Sequence, residues 1–414
     1  MNPNRKYGIF SIPVIVGALG YFVDIYDLLL FGIIRKQSLR DLGLDEAQVL
    51  TIGEQIISIQ MVGLLIGGII WGIMGDKKGR LSVLFGSIVL YSLANIANGM
   101  VQNTDQYMLV RFIAGIGLAG ELGAGITLVS ELLPKEKRGI GTSLVAGIGL
   151  TGAVVAYFIS QEYDWRICYY IGGALGMLLL LLRVSVFESG MFHEVKKLNV
   201  LRGSFMMFFN NGPRFKKYML SILIGLPTWY VIGVLVTFSD EFARNFGITE
   251  PVSPGKAIMF AYAGISVGDV LIGLLSQWLR SRKKALYIFY AITAVFITLF
   301  FLQREGSADR MYLICAGLGF GTGFWAIFVT MAAEQFGTNL RATAATTVPN
   351  MVRGSLPLII LLFQWLRTSM DYVTAGMVTG IIIMLITVIS AAFSKETFGK
   401  DLNFVEGDPV VPSP

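Results

Sequence analysis

Six ionisable residues interrupt otherwise long apolar runs: Asp24, Asp27, Arg111, Glu121, Asp269 and Arg353. A charge placed inside a lipid bilayer costs roughly 2.5–3.5 kcal/mol on insertion scales, so such residues mark function by default. Asp24 and Asp27 stand three apart and share one face of a helix. A carboxyl in a poorly solvated cavity holds a proton more readily than one in water, and an approaching cation reverses that. Asp24, Asp27 and Glu121 are therefore the candidates for binding a coupling proton. Arg111 is the natural cation to compete with that proton at Asp27. Arg353 offers a planar fork of donors suited to a carboxylate, and so is the candidate ligand for an anionic substrate group. Tyr26, Trp229, Tyr230, Trp325 and Asn350 are candidates for the wall of the same cavity, because aromatic side chains bring area plus one polar handle. Asp269 lies near the middle of its apolar run, with its role open.

The rest of the composition narrows the chemistry. The only histidine, His193, lies in a polar stretch. A Ser-His-Asp triad, a His-rich metal site and an intramembrane histidine relay are all disfavoured. Cys168 and Cys315 sit in apolar runs, so neither a disulfide nor a thiol metal site is expected. Gly147-Ile-Gly149-Leu-Thr-Gly152 matches a dinucleotide fingerprint, but no strand precedes it, and close helix packing explains it better. No cofactor and no enzyme activity are expected.

These residues need a scaffold that crosses a membrane. Of 414 residues 54% are apolar, glycine adds 48, and only 14% are charged. A soluble surface needs about 25% charge, so a soluble multidomain protein is excluded. Twelve apolar stretches are long enough to span, roughly at 10–34, 54–75, 81–100, 107–130, 140–160, 166–186, 217–238, 256–278, 285–302, 311–333, 343–365 and 372–394. The first is too long and too acidic for a signal peptide and reads as a retained helix. The fold class is thus an all-α membrane protein. Its expected divisions are 1–186 as a six-helix bundle, 187–216 as a central loop, 217–394 as a second six-helix bundle and 395–414 as a tail.

With the N-terminus placed in the cytoplasm, cytoplasmic segments hold 22 Lys and Arg and the outer ones nine, with Arg111 and Arg353 inside helices. That asymmetry supports cytoplasmic N- and C-termini. It also accounts for the net charge of +6 without nucleic acid, and it would attract anionic membrane lipids. An internal repeat appears at an offset of 203 residues: Glu131 and Arg138 recur as Glu334 and Arg341, Gly120 as Gly323, and Arg80 as Lys283. An offset near half the length implies two parallel six-helix halves.

Gly72-Ile-Met-Gly-Asp76-Lys77-Lys78-Gly79-Arg80 resembles the loop signature of the major facilitator superfamily, with Leu81 where a second basic residue is usual. Arg111-Phe-Ile-Ala-Gly115-Ile-Gly117-Leu-Ala-Gly120-Glu121, continuing to Glu131 and Arg138, resembles that superfamily's arginine–glycine signature. Trp165-Arg166, Phe187-Glu188-Ser189-Gly190 and Glu396-Thr397-Phe398-Gly399 are similar to its sugar-porter, aromatic-acid:proton and metabolite:proton symporter branch. Asp24-Ile25-Tyr26-Asp27 is similar to the paired acids of aromatic-acid:proton symporters, with Ile25 where a glycine is usual.

The resemblance implies two pseudo-symmetric bundles around a central cavity, rocking in alternating access. It implies a monomer in a bacterial inner membrane, taking up a small polar metabolite, with an organic acid expected, together with a proton or sodium ion. Asp76, Arg80, Glu131, Arg138, Glu188, Glu334 and Arg341 are expected to gate the cytoplasmic side. Asp76 would do so by pairing with a basic group or a helix N-terminus of the other half. Competing readings are a sugar porter, an uncoupled facilitator, an exporter, or a membrane sensor with the same fold. Pro227, Pro349 and Pro357 should kink the seventh and eleventh helices.

Overall fold

The computed structural model describes residues 8, 10–133, 135–183, 204–400 and 404–406, and among these residues no strand occurs. Twelve helices are long and apolar enough to cross a membrane. We number them as spans 1 to 12: Val14–Asp41, Glu46–Lys78, Leu81–Asn98, Thr104–Ile126, Leu144–Glu162, Trp165–Leu182, Gly212–Val236, Pro254–Trp278, Arg282–Phe301, Ala308–Gln335, Thr343–Leu366 and Tyr372–Phe393. The molecule therefore has two ends, here called the Asp45 face and the Gly79 face after the short connections that follow spans 1 and 2.

Polar residues at the connections start the helices. Asp45 and Gln48 form a reciprocal capping box before span 2. Asn103, Ser253, Ser281, Ser307 and Asp371 cap spans 4, 8, 9, 10 and 12 through their side chains. The exterior is apolar, with Leu358, Leu361, Ile381 and Leu385 exposed, whereas Asp24, Asp27, Arg111, Asp269 and Arg353 are buried. This inverted pattern is what a lipid solvent selects.

Span 1 runs past its expected end near residue 34 to Asp41. Arg35, Lys36 and Arg40 thus belong to a helix and not to a loop, and Arg40 is held by Glu46. Apolarity ends before the helix does, because long basic stems can leave the apolar zone while the backbone stays helical.

Several spans are broken. Span 4 divides at Ala119–Gly120, between helices Thr104–Leu118 and Glu121–Leu132. Span 10 divides at Gly323–Phe324, between Ala308–Thr322 and Trp325–Gln335. Gly120 and Gly323 are the pair related by the 203-residue offset, so the repeat marks matching breaks. Spans 7 and 11 break at Gly225 and Ser355, and Pro227 and Pro357 each stand at the start of the next helical piece. Pro349 instead stays within an unbroken helix, Arg341–Gly354. Span 7 continues as a π-helical turn over Val231–Val236.

Glycines set how closely the spans approach. A Cβ on Gly63 or Gly67 of span 2 would run into the carbonyls of Phe112 and Ile116 on span 4. Gly68 and Gly72, on a neighbouring face, meet Asn350 and Thr347 of span 11. Gly149 and Gly152 of span 5 pack against Tyr21 and the Phe22 carbonyl of span 1, which is the close packing expected of that glycine run.

Candidate functional site

At the centre, where the first six spans meet the last six, Arg353 on span 11 faces Asp24 on span 1 at 3.8 Å. Both side chains are almost wholly buried. Nη1 of Arg353 donates to Asn350 at 3.4 Å, and Nδ2 of Asn350 donates to the carbonyl of Ala119 at 2.8 Å, at the break in span 4. The Arg353 guanidinium lies 5.7 Å from the Trp325 ring. Tyr21 and Tyr262 are buried within electrostatic reach of both Arg353 and Asp24. A charge-bearing site thus bridges the two halves, assembled from spans 1, 8, 10 and 11.

A second buried ion pair lies wholly within the first half. Nη1 of Arg111 donates to Asp27 at 2.9 Å, Nη2 donates to the Asp27 carbonyl at 3.1 Å, and Nε donates to Gln60 at 3.3 Å. Gln60 itself donates to the Leu28 carbonyl at 3.2 Å. Asp24 and Asp27 share a turn of span 1, yet they serve partners on different spans, Arg353 on span 11 and Arg111 on span 4. Glu121, buried at the start of the second piece of span 4, accepts from Ser87 of span 3 at 3.0 Å.

Asp269 sits where span 10 is broken. Its Oδ1 accepts the backbone N–H of Ala326 at 2.9 Å, so it caps the second piece of span 10.

Two of the expected cavity residues spend their hydroxyls elsewhere. Tyr26 donates to the Cys168 carbonyl of span 6 at 2.8 Å, and Tyr230 donates to the Gly376 carbonyl of span 12 at 2.7 Å. Each ties the first helix of its half to the last. Neither hydroxyl is offered to the central site, since each is spent on a backbone carbonyl. Trp229 is buried on span 7.

The two halves are tied together at both faces. At the Gly79 face, Oδ2 of Asp76 accepts the backbone N–H of Thr343 at 2.8 Å and the Thr343 hydroxyl. A carboxylate at the end of span 2 thus caps the start of span 11, with the macrodipole of that helix in its favour. At the Asp45 face, Asp240 after span 7 pairs with Lys36 and, at 3.7 Å, with Arg35, both on span 1. Glu54 at the start of span 2 pairs with Arg367 at 3.3 Å and accepts from Gln364 at the end of span 11. Among the described residues, contacts between the two halves thus lie at both faces, with Asp24 and Arg353 buried between them.

Of the other expected gating residues, Glu334 pairs with Arg282 at 3.3 Å and accepts from Thr397 at 2.7 Å, all within the second half. Arg341 is buried at the start of the span 11 helix. The side chains of Arg80, Glu131 and Arg138, and the whole of Glu188 and His193, lie outside the described residues.

The sequence reading did not single out Tyr21, Tyr262 or the closure at the Asp45 face. Tyr21 had a signal, standing one turn before Asp24. Arg35 and Lys36 fall just past the expected end of span 1 near residue 34, so the extra length of that helix conceals their position, whereas Arg367 follows directly on span 11.

Comparison with known proteins agrees with this architecture. Residues 17–360 match the profile of the Major Facilitator Superfamily. The chain is 25% identical to the niacin transporter NiaP of Acinetobacter baylyi, over 96% of each chain. It is 24% identical to the sialic acid transporter NanX of Escherichia coli, over 85% of this chain and 84% of that one. The solved structure of the proton:xylose symporter XylE shares its fold with a TM-score of 0.71, at 17% identity, over 95% of this chain and 97% of that one. Twelve apolar spans and bacterial transporter relatives make it a multi-pass protein of the inner membrane. The chain belongs to the Major Facilitator Superfamily and is one of its transporters.

Proposed function

We propose that this protein is a proton-coupled symporter that carries a small organic acid by alternating access, as a monomer, with the Gly79 face and both termini in the cytoplasm. The two rocking units are spans 1 to 6 and spans 7 to 12, the second beginning at Gly212 and not at residue 217. The observation that carries this reading is the buried pair of Arg353 and Asp24 across the two halves, at 3.8 Å.

A buried ion pair has a simple exchange chemistry. If a proton joins Asp24, the Arg353 guanidinium loses its counter-charge, and an uncompensated buried charge is expensive. A substrate carboxylate entering at the same time takes the place that Asp24 held. Proton and anion then enter together or not at all, and that is coupling. Arg353 is the substrate's anchor, with Trp325 and Asn350 beside it. Asp27, paired to Arg111, and Glu121 are the further proton-binding carboxyls, placed inside the first half. Closure at the cytoplasmic face rests on Asp76 and the start of span 11. The relatives named for niacin and sialic acid support an organic acid, because each of those compounds carries a carboxyl group.

The test is uptake of labelled carboxylates into proteoliposomes with and without an imposed pH gradient. Accumulation should require the gradient in the wild type. In Asp24→Asn accumulation should vanish while exchange of substrate for substrate persists. Accumulation that ignores the gradient would leave an uncoupled facilitator as the account.

A further inference from the structure

The central site holds more than an anion clamp. Among the described residues, three buried polar atoms around it have no hydrogen-bond partner: Nε of Arg353, Nε1 of Trp325 and Oδ2 of Asp269. All three side chains are at least nine-tenths buried. In a lipid-embedded interior such atoms are costly unless a ligand or water satisfies them.

These atoms belong to one neighbourhood. Trp325 is held at both ends: the backbone beside it is capped by Asp269 at 2.9 Å, and its ring lies 5.7 Å from the Arg353 guanidinium. Tyr262 precedes Asp269 by seven residues on span 8, two turns along one helix face. Tyr21 of the other half lies in the electrostatic reach of Arg353, Asp24, Tyr262 and Asp269 together. Arginine and indole supply donors only, whereas the second oxygen of Asp269 supplies an acceptor. The helix cap at Ala326 uses Oδ1, the Trp325 N–H lies beside the same carboxylate, and Oδ2 makes no hydrogen bond within ordinary distance and angle.

We infer that Asp269 Oδ2 is a specificity subsite, and that the substrate is an acid bearing a second group that donates a hydrogen bond, such as a hydroxyl, an amine or a ring N–H. This rests on the reading of Arg353 as the carboxylate anchor. The substrate's carboxylate lies at Arg353 and Trp325 Nε1, and its donor reaches across Trp325 to Asp269. A site built to pair a polar substituent rejects the analogue lacking it, because its own buried group is then left unpaired.

The experiment measures ligand-induced thermal stabilisation and counterflow inhibition of the purified full chain. The probes are benzoate, 3-hydroxybenzoate and 3-methoxybenzoate, with butanoate and 3-hydroxybutanoate as an aliphatic pair. The hydroxyl member of each pair should bind at least about tenfold more tightly than its parent. The methoxy compound, an acceptor only, should gain nothing. Asp269→Asn keeps a carbonyl to cap Ala326 but turns the second atom into a donor. It should erase the hydroxyl advantage, reverse the preference toward the methoxy compound, and leave benzoate affinity within about threefold. Trp325→Phe keeps the ring, loses one donor, and should weaken parent and hydroxyl acids alike. If wild type binds these acids without distinguishing hydroxyl from parent, the subsite is overturned while the carboxylate reading stands. If no carboxylate binds and Arg353→Gln behaves as wild type, the carboxylate reading fails, and the subsite falls with it.

Discussion

Asp76 caps the helix that begins at Arg341 by accepting the backbone N–H of Thr343, 267 residues away in the chain. The motif that looks like an ordinary basic loop is therefore half of an intramolecular latch between spans 2 and 11. Gly72, one turn earlier, meets Thr347 and brings the two helices close enough for the bond to form. A cap of this kind is worth about 0.5–2 kcal/mol. Asp76→Asn should slow turnover several-fold while leaving substrate affinity within a few-fold. Initial uptake rates across a range of substrate concentrations check this, and a large loss of affinity at normal turnover would contradict it.

The opposite face is closed by charge. Lys36 pairs with Asp240, and Glu54 with Arg367. Removing Lys36 leaves Asp240 with Arg35 at 3.7 Å and Arg244 at 3.5 Å, so breaking this pair weakens the closure without stranding the carboxylate, and the closed arrangement should lose population. Ile258 is buried and lies against Gly32 beneath this closure. In Ile258→Cys, alkylation should accelerate by about tenfold or more on adding Lys36→Gln, a shift of at least about 1.4 kcal/mol. An unchanged labelling rate would show that the pair does not hold the gate.

Asp27 and Arg111 are both fully buried. Asp27→Asn strands the guanidinium and should lower folded yield and thermal midpoint, the cost being about 3–5 kcal/mol. Pairing it with Arg111→Gln should recover folding. If the pair also carries protons, the double variant will bind substrate yet fail to accumulate it. Full accumulation by the double variant would make the pair a brace and nothing more.

Packing makes a sharper prediction than charge. Gly63→Leu drives a side chain into the Phe112 carbonyl and should abolish folded protein, because backbone on span 4 cannot give way as a side-chain tip can. Gly125→Ala has open space and should fold normally, by chromatography of a fluorescent fusion.

Glu396, beyond the last span, is worked upward by burial, but the Ser281 hydroxyl and the backbone N–H groups of Phe398, Arg282 and Lys283 outweigh that and bring its carboxyl down to about 2. A depressed value means the carboxylate contributes stability above its ordinary range, lost as pH falls toward 2. Glu396→Gln should therefore lower the thermal midpoint at pH 7, with the gap between variant and wild type closing in acid. An equal gap at every pH would contradict the assignment.

Much of this was legible in the chain. Apolar runs declare twelve spans because lipid demands about 20 apolar residues for each crossing. The 203-residue offset correctly joined Gly120 to Gly323, since helix breaks are punctuated by glycine. The Asp76 latch could be anticipated because an acid at a loop edge has few cations or helix ends to meet. Other features were not legible, and for one reason. Periodicity fixes which residues share a face but not which way that face turns. Asp24 and Asp27 share one turn yet meet Arg353 and Arg111 on different neighbours. Tyr26 and Tyr230 are neighbours of the site in sequence and braces in space.

The pairing of Asp24 with Arg353 has an electrical corollary. Empty, the central pair carries no net charge; loaded with one proton and one carboxylate, it again carries none. A membrane potential does work of about 2.3 kcal/mol per elementary charge for each 100 mV, but only on charge that moves. If the proton on Asp24 alone accompanies a monoacid, with none carried by Asp27 or Glu121, transport through this site is voltage-blind in both directions of the cycle. With that stoichiometry its ceiling would be set by the acidity difference across the membrane alone, and a bacterium at neutral external pH would gain little concentration of such a solute from its electrical gradient.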